Sequence, residues 1–151
     1  MTALRSAIPC ALLAATACFL TPGRAADPDP KVVTYTAPDK IVWKTGAAAD
    51  TATIQGDPSK PGVYIQLIKW HPGNMSRPHF HSTARYITVL SGTWWIGTGP
   101  KYDPASTYPA AAGSYIVDLP GGIHYDGAKD TECVLEIVGT GPMTTTQAEQ
   151  K

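Results

Sequence analysis

The sequence has few charged residues and very little arginine. Charged residues make up 16% of the 151 residues, and beyond residue 25 the only arginines are Arg77 and Arg85. That part of the chain carries 10 basic and 12 acidic residues, which gives a net charge of −2 without a basic stripe. A nucleic-acid-binding protein needs a clustered positive surface, so this class of function is excluded.

Cysteine is equally scarce. Cys10 and Cys18 lie within the first 25 residues, which leaves Cys133 as the single thiol of the remaining chain. An internal disulfide in that part is therefore excluded. Cys133 opens the apolar run 133–138, and we expect a free cysteine in such a run to be a buried small hydrophobe rather than a nucleophile.

Long apolar runs are absent apart from one of 13 residues at positions 8–20. Arg5 precedes this run, and small residues follow it. Cleavage after Ala25 would place Gly23 at position −3 and Ala25 at position −1, where signal peptidases require small residues. The run is too short to span a bilayer. We predict a signal peptide at residues 1–25, export to the periplasm or the medium, and no membrane attachment after cleavage. The alternative is an anchoring N-terminal helix.

No helical periodicity of useful length follows the signal, whereas glycine and proline are abundant. They account for 25 of the 126 residues beyond residue 25. They separate short segments that are rich in β-branched and aromatic residues, as expected for strands joined by tight turns. The predicted strands are 32–36, 41–43, 63–70, 86–90, 93–97, 114–119 and 133–138. This pattern predicts an all-β sandwich or barrel.

The length after the signal suits one domain and is too short for two. No internal repeat is visible. We predict that residues 32–143 form the folded domain. The polar, proline-rich leader at 26–31 and the polar tail at 144–151 are expected to lie outside it.

Three of the four histidines lie between residues 71 and 81. His79 and His81 are two residues apart, and positions i and i+2 of a strand share a face, so both imidazoles can converge on one point. Neutral imidazole is a good ligand for first-row transition metals. A third ligand should come from a distant strand, and His124 is the one candidate downstream.

The spacing around these histidines resembles the two sequence motifs of the cupin family. The first motif, G-x5-H-x-H-x3/4-E-x6-G, is matched by Gly73, His79, His81 and Gly92, with Arg85 where the family has glutamate. The second, G-x5-P-x-G-x2-H, is matched with two offsetting shifts of one residue by Gly113, Pro120, Gly122 and His124. Both motifs together span residues 73–124.

The resemblance implies a double-sheet jelly-roll β-barrel. It also implies a divalent transition metal inside the barrel, such as Fe, Mn, Ni, Cu or Zn, held by His79, His81 and His124. Small molecules are the expected partners, and a homodimer is consistent with the family. A structural or assembly role for the jelly roll is a further alternative.

Arg85 leaves three alternatives open. In the first, the metal centre is an open three-histidine site, and Arg85 binds an anionic substrate or a carboxylate such as Asp118, Asp126 or Glu136. In the second, the metal site has been lost and the cavity binds an anion or another small molecule. In the third, Arg85 points to solvent. Strand parity with the apolar residues 87 and 89 favours an inward side chain.

Two further side chains, those of His71 and Asp126, could support the site by holding its ligands in place. His71 lies at a strand end before Pro72, where it could approach the ligands or stay at the surface. Asp126 shares strand parity with His124 and could fix its tautomer, and a turn role at 125–127 is equally open. No residue is identified by the sequence as a dedicated general base.

Two classes of function fit these features. The first is an exported, metal-dependent enzyme that acts on a small, anionic organic molecule, either as an oxidoreductase of the dioxygenase type or as an isomerase or lyase. The second is a non-catalytic periplasmic protein that binds a small ligand or a metal. The first class is the leading hypothesis, and the case for the second rests on the missing glutamate and the missing base.

Overall fold

The structure is a computed structural model and describes residues 26–150. The predicted signal peptide, residues 1–25, lies outside the described residues. The chain divides into a short unit that ends at Tyr35 and a larger unit that begins at Thr36. In the short unit, the amides of Val32 and Val33 both donate to the carbonyl of Asp29 at 2.9 Å, which forms a turn.

The larger unit is built almost entirely from strands. They are β1 (Ala49–Gln55), β2 (Gly62–Trp70), β3 (His79–His81), β4 (Arg85–Ser91), β5 (Thr93–Thr98), β6 (Tyr108–Ala111), β7 (Tyr115–Asp118), β8 (His124–Gly127), β9 (Cys133–Gly141) and β10 (Thr145–Gln147). Two single-turn 3-10 helices cover Pro38–Lys40 and Pro104–Ser106. Among residues 26–150, no helix is long and apolar enough to cross a membrane.

The strands form two five-stranded sheets. One has the order β1-β2-β9-β4-β7 and the other has the order β10-β3-β8-β5-β6. The pairings within both sheets are antiparallel. The prediction of an all-β, double-sheet jelly roll is therefore confirmed.

The core is formed by inward-facing residues of both sheets. In β9, every second residue from Cys133 to Gly139 is buried, which is the period-two pattern of a strand with one face in the core. The largest buried side chains of the cluster are Tyr64, Ile87, Val89, Trp94, Leu135 and Ile137. Removal of this apolar surface from water is the main force that holds the sheets together.

Cys133 belongs to this core. Its side chain is completely buried. Burial, together with the charges of Asp126 and Glu132, raises the pKa of its thiol to about 12. Because the thiolate is the reactive form, Cys133 is a packing residue, as the sequence indicates.

The same alternation places Arg85 inside the domain. In β4, the buried residues are Arg85, Ile87 and Val89, and Tyr86 between them is exposed. The prediction of an inward Arg85 is confirmed, and the alternative in which it points to solvent is wrong.

The first two predicted strands are wrong. Residues 32–36 contain a turn and irregular backbone, because the chain bends back on Asp29. Residues 41–43 follow the 3-10 helix Pro38–Lys40 directly and form no strand. The ladder of the larger unit instead begins at β1, whose sequence is mostly alanine, threonine and polar residues and has little apolar signal.

The predicted tail at 144–151 is also corrected. Residues Thr145–Gln147 form β10, which pairs with β3 so that Thr145 lies opposite His81 and Gln147 opposite His79. The threonines favour an extended backbone, but their polarity resembles that of a solvated tail. The domain therefore extends beyond residue 143, and the added strand covers the edge of the histidine strand.

A close contact between β5 and β8 fixes the backbone of the second motif. Gly97 lies opposite Tyr125, and a Cβ at position 97 would come within 2.1 Å of the Tyr125 ring. The Tyr125 hydroxyl donates to the carbonyl of Asp103 at 2.9 Å. Because Tyr125 stands between His124 and Asp126, this packing sets the position of both neighbours.

We predict that Gly97→Ala lowers the free energy of unfolding by about 1–3 kcal/mol, because the new methyl group overlaps a buried ring that cannot move freely. Urea denaturation followed by tryptophan fluorescence measures the change. Thr98→Ala, on the exposed neighbouring residue, is the control and should change stability by about 0.5 kcal/mol or less. A Gly97→Ala protein as stable as the wild type would contradict this account of the packing.

Candidate metal centre

The three predicted histidine ligands come together in the interior. His79 and His81 share one face of β3, and His124 on β8 is the direct cross-strand partner of His79. The three ring centroids lie 4.5 to 5.2 Å apart. One nitrogen from each ring lies within 4.8 Å of the other two, and each side chain is at most 6% exposed.

Hydrogen bonds to Nδ1 orient all three rings. The Nδ1 atom of His79 lies 2.8 Å from the carbonyl oxygen of Arg77, and that of His124 lies 3.0 Å from the carbonyl oxygen of Gly122. Because a carbonyl only accepts, Nδ1 carries a proton in both rings, so the lone pair of the neutral imidazole lies on Nε2. The Nδ1 atom of His81 lies 3.1 Å from the hydroxyl oxygen of Thr145 on β10.

The Nε2 atoms have no such partners. Those of His81 and His124 are buried and make no hydrogen bond. Burial lowers the pKa of His79 below its ordinary value, and burial together with the Arg85 charge lowers the pKa of His81 to about 3. Both imidazoles are therefore neutral near pH 7, which is the form that binds a metal ion.

Two buried carboxylates approach these lone pairs. Asp126 places Oδ2 3.6 Å from Nε2 of His124 and 4.0 Å from Nε2 of His79. Asp118 places Oδ2 3.5 Å from Nε2 of His124. A negative oxygen beside a nitrogen lone pair is repulsive, so this arrangement is stabilised by a positive charge between the groups.

Arg85 pairs with Asp118. The two residues are cross-strand partners on β4 and β7. Both Nε, at 3.0 Å, and Nη2 of Arg85 donate to Oδ2 of Asp118, and both side chains are buried. Of the roles open to Arg85 from the sequence, the structure places it in the salt bridge with Asp118.

A cavity of about 210 Å³ borders the histidines. Its polar lining includes His79, His81, Arg85 and Asp126, and its apolar wall includes Ile68, Trp70, Trp94, Leu135 and Ile137. His124 and Asp118 line a second cavity of about 240 Å³. The histidine cluster can therefore be reached by a small molecule with an apolar body.

The other predicted supporting residues lie differently. His71 binds Asp50 through Nε2 at 2.9 Å and does not line the cavity beside the histidines. Asp126 does not fix the tautomer of His124, since Nδ1 of that ring binds the backbone and Asp126 faces Nε2. The sequence does not single out Thr145, because it lies in a polar segment with no apolar alternation.

Comparison with known proteins identifies the fold. No protein-family model matches the sequence, and no curated protein matches it. The polyketide cyclase RemF from Streptomyces resistomycificus matches the structure with a TM-score of 0.66 at 15% identity, over 79% of this chain and 87% of that one. A sugar phosphate isomerase from a cupin superfamily, from Silicibacter pomeroyi, matches with a TM-score of 0.61 at 15% identity, over 78% and 83%. The chain has the cupin fold.

A third match agrees with this result. A protein with a double-stranded β-helix domain from Klebsiella pneumoniae has a TM-score of 0.61 at 17% identity, and the match covers 78% of this chain and 99% of that one. On the cupin fold, the resemblance puts Arg85 where the usual motif has its acidic ligand. The donor set that the structure brings together is three imidazoles, and it fits a divalent transition metal.

We predict that breaking the Arg85–Asp118 pair from either side is costly. Arg85→Leu or Asp118→Leu should each lower the free energy of unfolding by about 3–5 kcal/mol, because each leaves one buried charge uncompensated. The double variant should lose less free energy of unfolding than the more destabilised of the two single variants. Urea denaturation of the metal-free protein measures all three values.

The matched control is the Arg77–Glu149 pair, whose Arg77 side chain is 53% exposed. Arg77→Leu should lower the free energy of unfolding much less than either variant of the buried pair, as is usual for exposed pairs. Single variants at Arg85 and Asp118 that cost no more than Arg77→Leu would show that the buried pair does not hold the two sheet strands as described.

Proposed function

We propose that this protein is an exported cupin that binds a divalent transition metal through His79, His81 and His124 and acts on a small organic molecule. The observation that carries the proposal is the convergence of three buried imidazoles, two of which, those of His79 and His124, have a carboxylate oxygen of Asp118 or Asp126 within 4.0 Å of Nε2. Export rests on the signal peptide pattern in residues 1–25.

The donor atoms of the site indicate which metals it could bind. Nitrogen and oxygen donors suit Fe, Mn, Ni, Cu or Zn, and within residues 26–150 no thiolate is available, because Cys133 is buried with a raised pKa. A metal bound here would supply Lewis acidity toward an oxygen atom of the substrate. The protein holds the histidine rings in place through Nδ1 and excludes bulk water by burial.

The cavity indicates the size and character of the substrate. Its volume of about 210 Å³ is below the range of about 300–1,000 Å³ that drug-sized ligands occupy. One wall is apolar and the other end carries the histidines. The substrate is therefore a small molecule with an apolar part and an oxygen function.

An anionic substrate would be attracted to this site only by the charge of a bound metal ion. Arg85 is neutralised by Asp118, and Asp126 adds a further negative charge, so the side chains alone give the site a net charge of about −1 when the histidines are neutral. An anionic group would bind where the metal places positive charge. The expected reactions are of the oxygenase, isomerase or lyase type, and the solved cupin neighbours named above include a cyclase and an isomerase.

A non-catalytic binding protein is the second candidate. The hydrogen bonds near the histidines favour it, because they leave none of the described side chains there free to act as a general base. Among the residues described, the side chains around the histidine cluster include no free general base. His71 binds Asp50 outside the cavity, and Asp126 is held by Trp94 and Ser76. Proton transfer would have to use substrate groups or a metal-bound water.

Metal content tests the proposal first. Protein purified from the exported fraction should contain close to one equivalent of a transition metal by elemental analysis. His79→Ala and His124→Ala should each remove it, because three ligands are needed to hold it. His71→Ala is the control and should retain it. Metal-free wild-type protein that takes up no added transition metal would overturn the proposal.

Turnover then separates the two candidates. The metal-loaded protein is incubated with small carboxylates, phenols and sugar phosphates, and oxygen consumption and product formation are recorded. Catalysis that disappears in His124→Ala but survives in His71→Ala supports the enzyme. Saturable binding without turnover of any bound compound supports the binding protein.

A further inference from the structure

Asp126 is a buried carboxylate without a cationic partner. Its side chain accepts from Nε1 of Trp94 at 3.1 Å and from the hydroxyl of Ser76 at 3.4 Å, and both donors are neutral. No lysine or arginine within residues 26–150 forms an ion pair with it. The residue is only 4% exposed. A buried charge of this kind is costly unless a cation compensates it.

Asp118 is different, although it lies equally close to His124. Its Oδ2 receives two hydrogen bonds from the guanidinium of Arg85, so its charge is balanced within the protein. It also approaches one histidine, whereas Asp126 approaches two. Of the two carboxylates, Asp126 is the one that is free to balance an added cation.

The distances from Asp126 to His79 and His124 agree with a role as ligand, beside the cluster of three histidines whose donor atoms all lie within 4.8 Å of one another. Donor atoms that lie at 2.0–2.2 Å from one metal ion are about 3–4 Å from each other. The Oδ2 atom of Asp126 is 3.6 Å from Nε2 of His124 and 4.0 Å from Nε2 of His79. Hydrogen bonds from Trp94 and Ser76 hold the carboxylate in this position, as supporting donors do for metal-binding carboxylates.

The charges also agree. Where the cupin motif has one glutamate, this chain has Arg85 with two aspartates nearby. One positive and two negative charges sum to the single negative charge that the glutamate would bring. Arg85 and Asp118 cancel as a pair, which leaves the charge of Asp126 beside the histidines.

We propose that Asp126, from β8, is the carboxylate ligand of the metal centre and replaces the glutamate missing at position 85. This inference rests on the metal centre proposed above. In the family motif, the carboxylate ligand is the glutamate four positions after the second histidine, where this chain has Arg85. Here the inference assigns that role to Asp126, two positions after His124. The position that the glutamate has in the motif is then occupied by Arg85, whose charge is balanced by Asp118.

Cobalt(II) titration of the metal-free protein tests the inference without any substrate. We expect Asp126→Asn to bind Co²⁺ at least about 100-fold more weakly than wild type and to shift the visible absorption of the bound ion, because an anionic ligand is lost. Asparagine has a similar shape and keeps an acceptor for Trp94. Asp50→Asn is the matched control, since it removes one acidic group from the His71 pair, and should bind within about 3-fold of wild type.

The outcomes separate the inference from the proposed function. If wild type binds Co²⁺ and loses it in His124→Ala, but Asp126→Asn keeps the wild-type affinity and spectrum, the role of Asp126 is overturned and the three-histidine centre stands. If wild type binds no Co²⁺, both are overturned. Should Asp126→Asn fail to fold, Asp126→Glu keeps the charge: binding with a shifted spectrum supports the inference, and an unshifted spectrum overturns it.

Discussion

The pairing of β3 with its two neighbours is the constraint on which the rest of the site depends. His79 lies opposite His124 on β8, and His81 lies opposite Thr145 on β10. Because alternate residues of a strand share a face, this register brings both histidines of β3 beside the third. A slip of one residue would turn them out of the interior and would separate them from the Arg85–Asp118 pair on the facing sheet.

Charge balance is the second organising feature. A domain with few charges places one arginine, two aspartates and three histidines in its interior. Such groups are stable in an apolar interior only when they compensate each other or bind an ion. Arg85 and Asp118 compensate each other across β4 and β7, and the remaining negative charge, that of Asp126, lies beside the imidazoles. Under the proposed function, a bound metal ion would compensate this charge.

The sequence predicted the sheet architecture and the three histidines well, because both depend on local patterns. Runs rich in β-branched and aromatic residues mark β2, β4 and β9, and the motif spacing marks the histidines. The polar strands β1 and β10 have no such apolar run, so their ladders could be found only from tertiary pairing. The sequence left several carboxylates open as the partner of Arg85, among them Asp118, Asp126 and Glu136, and the register of β4 against β7 selects Asp118. The orientation of Asp126 toward Nε2 likewise depends on the hydrogen bonds of Nδ1, which sequence does not specify.

The central claim is that these side chains form one metal centre. It is tested most directly by a crystal structure of the metal-loaded protein, with diffraction recorded on both sides of the absorption edge of the metal. The account predicts one anomalous peak that contacts Nε2 of His79, His81 and His124 and a carboxylate oxygen of Asp126. Crystals grown with excess metal that show no peak among the three histidines would contradict it.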